Sequence, residues 1–325
     1  MACEPVHDGS VRIFTEPSDR PIVLALRALK LGDLLVAVPA LHGLRRAHPD
    51  HEVVLAAPGW LAPVAALVGS VDALLPTPGL DDPLPLDAGI VDVAANLHGN
   101  GPESRALIDA LGARVRIVHR SPSDPDGPEW LDGILERRRW ARLVSAYGAI
   151  ADEDDVAIAL PSTASPAPGA AVLHVGAFYG SRQWPVDRFA AVARALRSDG
   201  LRIVLTGGAA DRERAEAVAS AAGLDEDAVL ADRTRLDELA ALVADASVVV
   251  SADTGAAHLA SAYRTPSVVV FGPAPVEEWG PPEGPHIALT DPAARRGDAF
   301  AATPDPALLA VQADEVIAAA RSVRR

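Results

Sequence analysis

Short β-branched and aliphatic runs alternate with stretches of helical periodicity along nearly the whole chain. The first run, 22–27 (Ile-Val-Leu-Ala-Leu-Arg), reads as a strand. A glycine turn follows, and then Leu34, Leu35, Val38, Leu41 and Leu44 recur at helical spacing, predicting a helix over 34–47. The same reading predicts strands at 53–57, 73–75, 91–95 and 115–118, with helices near 61–68 and over 104–111 and 130–147. The segment 161–169 breaks the pattern. It holds three prolines and no charge, which marks a linker. Beyond it the alternation restarts, with strands at 171–175, 202–205, 247–250 and 267–271 and helices over 186–197, 212–222, 236–244, 256–263 and 306–323. No fixed-period repeat is present. Alternating strands and helices imply βαβ units and parallel sheets covered on both faces. The expected fold class is therefore α/β: two domains of similar size, each a doubly wound parallel sheet, with a cleft between them. Their expected spans are 1–165 and 166–325, the last helix being able to pack back on the first domain. In such folds ligands bind outside the carboxyl ends of the strands, so the turns that follow strands carry the interest.

Four such turns stand out. After the first strand comes Arg27-Ala-Leu-Lys30-Leu-Gly32-Asp33. Asp33 is either a helix N-terminal capping carboxylate or a general base at the cleft floor. No Gly-x-Gly-x-x-Gly accompanies it, so a dinucleotide fingerprint is not supported. After the first strand of the second domain, the stretch from His174 to Pro185 contains Gly176, Gly180 and Arg182. Glycine backbone can wrap an anion, and arginine offers a planar fork to phosphate oxygens. The third turn, Asp253-Thr254-Gly255, stands where an apolar strand runs straight into a helix. A helix start binds phosphate through its free amides and dipole. Thr254 adds a hydroxyl, and Gly255 lets the anion come close. Asp253 would repel that phosphate and should face neutral hydroxyls, such as those of a sugar. His258 lies one turn into the helix, as a packing residue or a donor contact. The fourth turn, Gly207-Gly208, either abuts a nucleotide or is simply a tight turn.

Charge and composition narrow the classes. The net charge is −15, which disfavours nucleic acid and anionic membrane surfaces. Cys3 is the only cysteine, so neither an internal disulfide nor a thiolate metal cluster can form. The first twenty residues carry Glu4, Asp8, Arg12, Glu16 and Asp19 without an apolar run, unlike a secretory leader. The uncharged stretch 53–71 is interrupted by Pro58, Gly59, Pro63 and Gly69 and does not read as a membrane span. The expectation is a cytoplasmic protein with at most peripheral membrane contact. Lys30 is the only lysine among 29 basic residues, so a site that needs a cation should use arginine. The pair Asp124-Pro-Asp126 has the Asp-x-Asp form of metal-dependent nucleotide-sugar enzymes, but no strand precedes it. Arg137, Arg138, Arg139 and Arg142 form either a solvated helix face or a patch for an anionic acceptor. Gly-x-Ser-x-Gly, His-Glu-x-x-His and Walker sequences are absent.

Taken in order, these turns resemble the family 9 glycosyltransferases, the heptosyltransferase family. The resemblance runs from Ile22 to about Pro281 and rests on LALRALKLGDLLVAVPALHGLRRAHPD, GSRQWP, TGGAADRERAEAVA, RTRLDELAALVADASVVVSADTGAAHLASAY and VVVFGPAPVEEWGPP. Its most specific piece is the spacing Asp-Thr-Gly-x-x-His-Leu. The resemblance implies a GT-B fold, two Rossmann-like, doubly wound domains facing across a cleft, with the acceptor bound mainly by the first domain and a nucleotide-sugar donor by the second. It implies metal-independent, inverting transfer, with no cofactor besides the donor itself. Carried over by position, Asp33 is the base and Arg182 takes the place of a family lysine at the donor phosphates. Thr254 and Gly255 hold the diphosphate, Asp253 binds sugar hydroxyls, and Gly207, Gly208 and His258 complete the donor side. The implied reaction moves a sugar, a heptose from an ADP donor, to a hydroxyl of a glycan, glycolipid or small-molecule glycoside. A nucleotide-sugar epimerase or hydrolase on the same fold is the first rival, which sugar release without an acceptor would favour. A non-catalytic nucleotide-sugar-binding module is the second, and the presence of Asp33 speaks against it. The arginine in the lysine's place keeps the charge and changes the geometry. Residues 1–21 have no counterpart in the family pattern.

Overall fold

Strand β2 (Ile22–Leu26) and its neighbour β3 (Glu52–Ala57) are buried at every position. That is why they read as continuous apolar runs without alternation: helices cover both faces of a parallel sheet. The structure, a computed structural model, describes residues 11–324. Cys3 lies outside the described residues. The chain divides into two compact units between Ala159 and Leu160, at the near edge of the proline-rich segment.

In the first unit β2 and β3 are joined by β1 (Arg12–Ile13), β4 (Ala73–Pro76), β5 (Val91–Asn96) and β6 (Val115–Ile117). All pairs are parallel, in the order β1-β4-β3-β2-β5-β6. Helices α1 (Leu31–Ala47), α2 (Ala62–Ala65), α3 (Pro102–Ala110) and α4 (Glu136–Ala146) complete it. Helix α4 starts six residues later than the expected 130. Gly133 there takes a left-handed backbone, φ 66°, which an α-helix does not accept. The two-residue edge strand β1 is too short and too polar to leave a periodic signal. Its Arg12 is bonded to buried Glu52 on β3.

The second unit carries β7 (Ala171–His174), β8 (Ile203–Thr206), β9 (Val248–Ala252), β10 (Ser267–Val270) and β11 (His286–Leu289). Their order is β11-β10-β9-β7-β8, again all parallel. Its helices are α5 (Val186–Ser198), α6 (Arg212–Ala222), α7 (Leu236–Asp245), α8 (Gly255–Ala262), α9 (Val276–Trp279), α10 (Pro306–Ala310) and α11 (Ala313–Val323). The single last helix expected over 306–323 is thus two. The chain is extended at Val311 and Gln312. The Val311 carbonyl accepts from Trp184 Nε1 at 3.1 Å and from Arg188 at 2.6 Å, which takes it out of a helical ladder. Val316, Ala319 and Ala320 of α11 belong to the same core as Trp184 and Phe189, so the last helix packs on its own unit.

Each sheet has one place where successive crossovers leave in opposite directions. In the first unit it lies between β2 and β5, in the second between β7 and β9. Such switch points open a crevice at the carboxyl ends of the two strands. No helix among the described residues is long and apolar enough to cross a membrane.

Candidate active site

At the first switch point β2 delivers Arg27, whose amide still bonds to the Ala56 carbonyl at 2.8 Å. Its side chain turns inward and is only 2% exposed. Nε donates to the Asp33 main-chain oxygen at 2.9 Å, and Nη1 to the Leu97 carbonyl just past β5 at 2.5 Å. Nη2 lies 3.3 Å from Asp33 Oδ1. The guanidinium carbon sits 4.8 Å from the centroid of the Trp140 ring. Burial pushes the Arg27 guanidinium below its ordinary pKa, and the Asp33 carboxylate opposes that shift most strongly. The other carboxylate oxygen, Oδ2, accepts the Lys30 amide at 3.2 Å, at the N-terminal cap of α1. Asp33 therefore caps its helix and holds a cation, while a quarter of its side chain (25%) stays exposed to a ligand.

His98 follows β5 at the same crevice. Its amide donates to Asn96 Oδ1 at 3.1 Å, and Asn96 is fixed in turn by Ser104 Oγ at 3.0 Å. Burial, then the charge of Arg27, pushes the imidazole down to about 4, so it is neutral at pH 7. Its Nδ1 is buried without a hydrogen-bond partner. The crevice thus pairs a carboxylate with a neutral imidazole, a setting in which a hydroxyl can be bound and deprotonated.

At the second switch point the loop after β7 is braced from α6. Asp211 accepts the Ala177 amide at 3.3 Å with one oxygen and the Gly208 amide at 2.9 Å with the other. A Cβ at Gly176 would lie 2.5 Å from that carboxylate, and one at Gly207 would lie 2.7 Å from Asp211 Cβ. Both glycines are there because the two turns close on Asp211. The Gly207 carbonyl is also occupied, by the Asp232 amide at 3.1 Å. Arg214 ties the loop at both ends, through the Val175 carbonyl at 3.0 Å and the Trp184 carbonyl. A Cβ at Gly180 would collide with the Ala302 carbonyl oxygen, and Ser181 bonds through its amide and hydroxyl to Ala301 and Ala299 at 2.9 and 2.7 Å. These constraints fix the short turn that presents Arg182.

Arg182 Nη2 stands 3.6 Å from Asp253 Oδ2, and His258 Nε2 stands 3.6 Å from Asp253 Oδ1. Asp253 is 4% exposed and lies between these two groups at the end of β9. Thr254 caps α8 in an extended conformation, yet its hydroxyl makes no capping bond. Both Thr254 Oγ1 and Arg182 Nε are buried with no hydrogen-bond partner. The amides of Gly255 and Ala256 come before the first internal bond of α8 and have no acceptor within the helix. His258 packs edge-on against Trp279, with ring centroids 6.3 Å apart. His174, at the end of β7, bonds to Thr206 Oγ1 at 3.0 Å, and burial holds it neutral with a pKa of about 4. One cation, one hydroxyl, one helix start and one buried carboxylate therefore share this crevice. The first three favour an anion, and the fourth repels it.

The structure brings Arg182, Asp253 and His258 into one cluster, with Thr254 and Gly255 next in the chain. Gly207 and Gly208 sit at the end of the adjoining strand β8, bound to Asp211. Asp33 belongs to the first unit. Sequence reasoning passed over Arg27, His98 and Asp211. Each follows a strand by one to five residues, which was the available signal. Of the arginine run, Arg137 and Arg139 are buried, which corrects the reading of a wholly solvated face. They pair with Asp154 at 3.1 Å and Glu136 at 2.7 Å, and Arg139 lies 4.0 Å from the Trp130 ring centroid. Arg138 is exposed and bonded to Glu153 at 2.6 Å. Asp124 of the Asp-x-Asp pair is engaged by Arg116 at 2.5 Å and Arg105 at 3.4 Å. Among the described residues no group of three or more His, Cys, Asp or Glu is placed to hold a metal ion.

Residues 148–292 match the family model described as glycosyltransferase family 9 (heptosyltransferase). Lipopolysaccharide heptosyltransferase 2 of Escherichia coli is 22% identical over 294 residues, covering 77% of this chain and 82% of that protein. Lipopolysaccharide heptosyltransferase 1 of Pseudomonas aeruginosa is 27% identical over 288 residues, covering 77% and 78%. Among solved structures, E. coli ADP-heptose LPS heptosyltransferase II superposes with a TM-score of 0.73 at 18% identity, covering 93% of this chain and 98% of that one. A family 9 glycosyltransferase from Veillonella parvula gives 0.71 at 17% identity, covering 97% and 99%. At these identities the structural likeness establishes the fold, GT-B, which the two doubly wound units express. The family match, the relatives and the fold agree: residues 148–292 form a glycosyltransferase family 9 (heptosyltransferase) domain, and the chain is a glycosyltransferase.

Proposed function

We propose that this enzyme transfers a heptose from ADP-heptose to a hydroxyl of a glycan, glycolipid or small-molecule glycoside, with inversion and without a metal. The first unit takes the acceptor and the second the donor. The acceptor oxygen forms a bond to the anomeric carbon from the face opposite the leaving group. The bond from that carbon to the diphosphate oxygen breaks, and the nucleoside diphosphate departs with its electrons. The acceptor proton goes to the Asp33 carboxylate. Arg182, the Thr254 hydroxyl and the amides that open α8 stabilise the charge developing on the diphosphate, the part a metal plays in other transferases. Asp253, unable to share that phosphate, takes hydroxyls of the sugar. Gly207 and Gly208 form the wall beside the nucleotide, and His258 orients Asp253. The enzyme works in the cytoplasm, with at most peripheral contact with a membrane that carries a lipid-linked acceptor.

One observation supports this reading above the others: two buried polar groups, Arg182 Nε and Thr254 Oγ1, lack partners in the protein at a helix start. Buried donors are nearly always satisfied, so a ligand is the natural partner. The heptosyltransferase relatives point to the sugar. The test is a donor screen that follows nucleoside diphosphate release from ADP-heptose and from ADP-, GDP- and UDP-hexoses, with heptose-deficient lipopolysaccharide as acceptor. ADP-heptose should be turned over fastest. A preference for a GDP- or UDP-sugar overturns the donor assignment, and equal release with and without acceptor points to a hydrolase.

Activity should survive EDTA. The phosphate-facing turns already supply a guanidinium and a helix start, and Asp124 is committed to Arg105 and Arg116. Loss of transfer on chelation, restored by Mg²⁺ or Mn²⁺, would show that the leaving group is stabilised in another way.

A further inference from the structure

We propose that Arg27 is the positioning residue for Asp33, its buried guanidinium fixing the carboxylate at the switch point between β2 and β5. The inference rests on the reading of Asp33 as the base. Three of its nitrogens reach three separate acceptors on two segments: the Asp33 main-chain oxygen, Asp33 Oδ1 and the Leu97 carbonyl. The first two set both the backbone and the side chain of Asp33. The third anchors that grip to the end of β5, the opposite wall of the crevice. The Trp140 ring of α4 lies against the guanidinium, its centroid 4.8 Å from the guanidinium carbon, and packs the fork in place.

The residue type suits the task. A planar fork can serve three acceptors at fixed angles, whereas a lysine ammonium in the same place serves them one at a time. Burying a guanidinium also carries a desolvation cost that an apolar side chain would avoid. A purely structural tether between β2, α1 and β5 would not need that charge; a carboxylate that must be held does. Asp33 has a second oxygen on the Lys30 amide at 3.2 Å, so the two contacts together leave its carboxyl plane little freedom. A reacting carboxylate displaced by about 1 Å can lose on the order of 10² in rate.

The test is a double-mutant cycle on the whole enzyme. ADP release from ADP-heptose is followed with heptose-deficient lipopolysaccharide as acceptor, and melting temperature is recorded for each variant. Arg27→Gln should lower kcat by about ten- to a hundredfold and leave the donor KM within about threefold. In the Asp33→Asn background the same change should cost less than about threefold more, because there is no base left to misplace. Losses that multiply in the double variant, or a change confined to KM, overturn the proposal. Arg27→Lys, which keeps the charge, enters the same cycle if Arg27→Gln does not fold. Independently of turnover, a crystal structure of either variant should show the Asp33 carboxylate swung away from its wild-type position, and an unmoved carboxylate also overturns the proposal. Should Asp33→Asn keep wild-type turnover, the base assignment itself fails, an outcome distinct from failure of the positioning role.

Discussion

Asp33→Asn should reduce turnover by a factor of at least about 10² while leaving donor affinity nearly unchanged, the usual scale of general-base catalysis. The geometry makes this substitution unusually discriminating. Asp33 does two things at once: one oxygen accepts the Lys30 amide at the start of α1, and the other faces Arg27. An asparagine oxygen can still accept that amide, so the cap survives. The Asp33 main-chain oxygen keeps its bond from Arg27 Nε, and Leu97 keeps its own. What disappears is the negative charge and the ability to take a proton. A helix cap and a base therefore give opposite results in one experiment. If turnover stays within about threefold of wild type with an unchanged melting temperature, Asp33 is a cap and another group must receive the acceptor proton.

Much of this site was legible because the fold is built from fully buried strands. A run such as 248–250, three valines in a row, has only one sensible place, the middle of a parallel sheet. The turn that follows it must then lie at the sheet's carboxyl edge, so the sequence alone places Asp253, Thr254 and Gly255 there. The same logic placed Asp33 after β2. The order of the strands was not legible, since periodicity carries no information on which neighbours pair. Without the order, the switch points between β2 and β5 and between β7 and β9 could not be located.

The residues passed over are those whose role depends on pairing across segments. Arg27 matters through Leu97, seventy positions away, and Asp211 through Ala177. Gly207 reads equally well as a nucleotide contact or as a tight turn, and local sequence does not show Asp211 wedged against it. The arginine run misled for a related reason. A solvated face is the default for such a run, yet Arg137 and Arg139 are buried beside Asp154, Glu136 and Trp130, partners that local sequence does not reveal. Helix ends were lost where a carbonyl had other business, as at Val311, whose oxygen serves Trp184 and Arg188.

Arg182 and Asp253 should fail in different ways, although they lie 3.6 Å apart. Arg182→Ala should weaken both ADP-heptose and free ADP. The loss of one charge-assisted contact is worth roughly 1.5–3 kcal/mol, about ten- to a hundredfold in affinity. Asp253→Ala should weaken ADP-heptose but not free ADP. Its carboxylate is 4% exposed, and a diphosphate close to Arg182 feels it as repulsion. Removing it leaves the full Arg182 charge facing the phosphates, so free ADP should bind as well as before or more tightly. The rival account comes from the same geometry: a buried carboxylate between Arg182 and His258 can act as a brace that holds the guanidinium in place. A brace predicts that losing Asp253 lets Arg182 wander, which weakens free ADP as well. Calorimetric titration of both variants with both ligands yields four affinities. If Asp253→Ala loses free ADP as strongly as Arg182→Ala does, the division between a phosphate contact and a sugar contact collapses, and Asp253 is the brace. If only the sugar-bearing ligand suffers, the extra affinity of ADP-heptose over ADP is carried by Asp253, and the buried carboxylate is where this site reads its sugar.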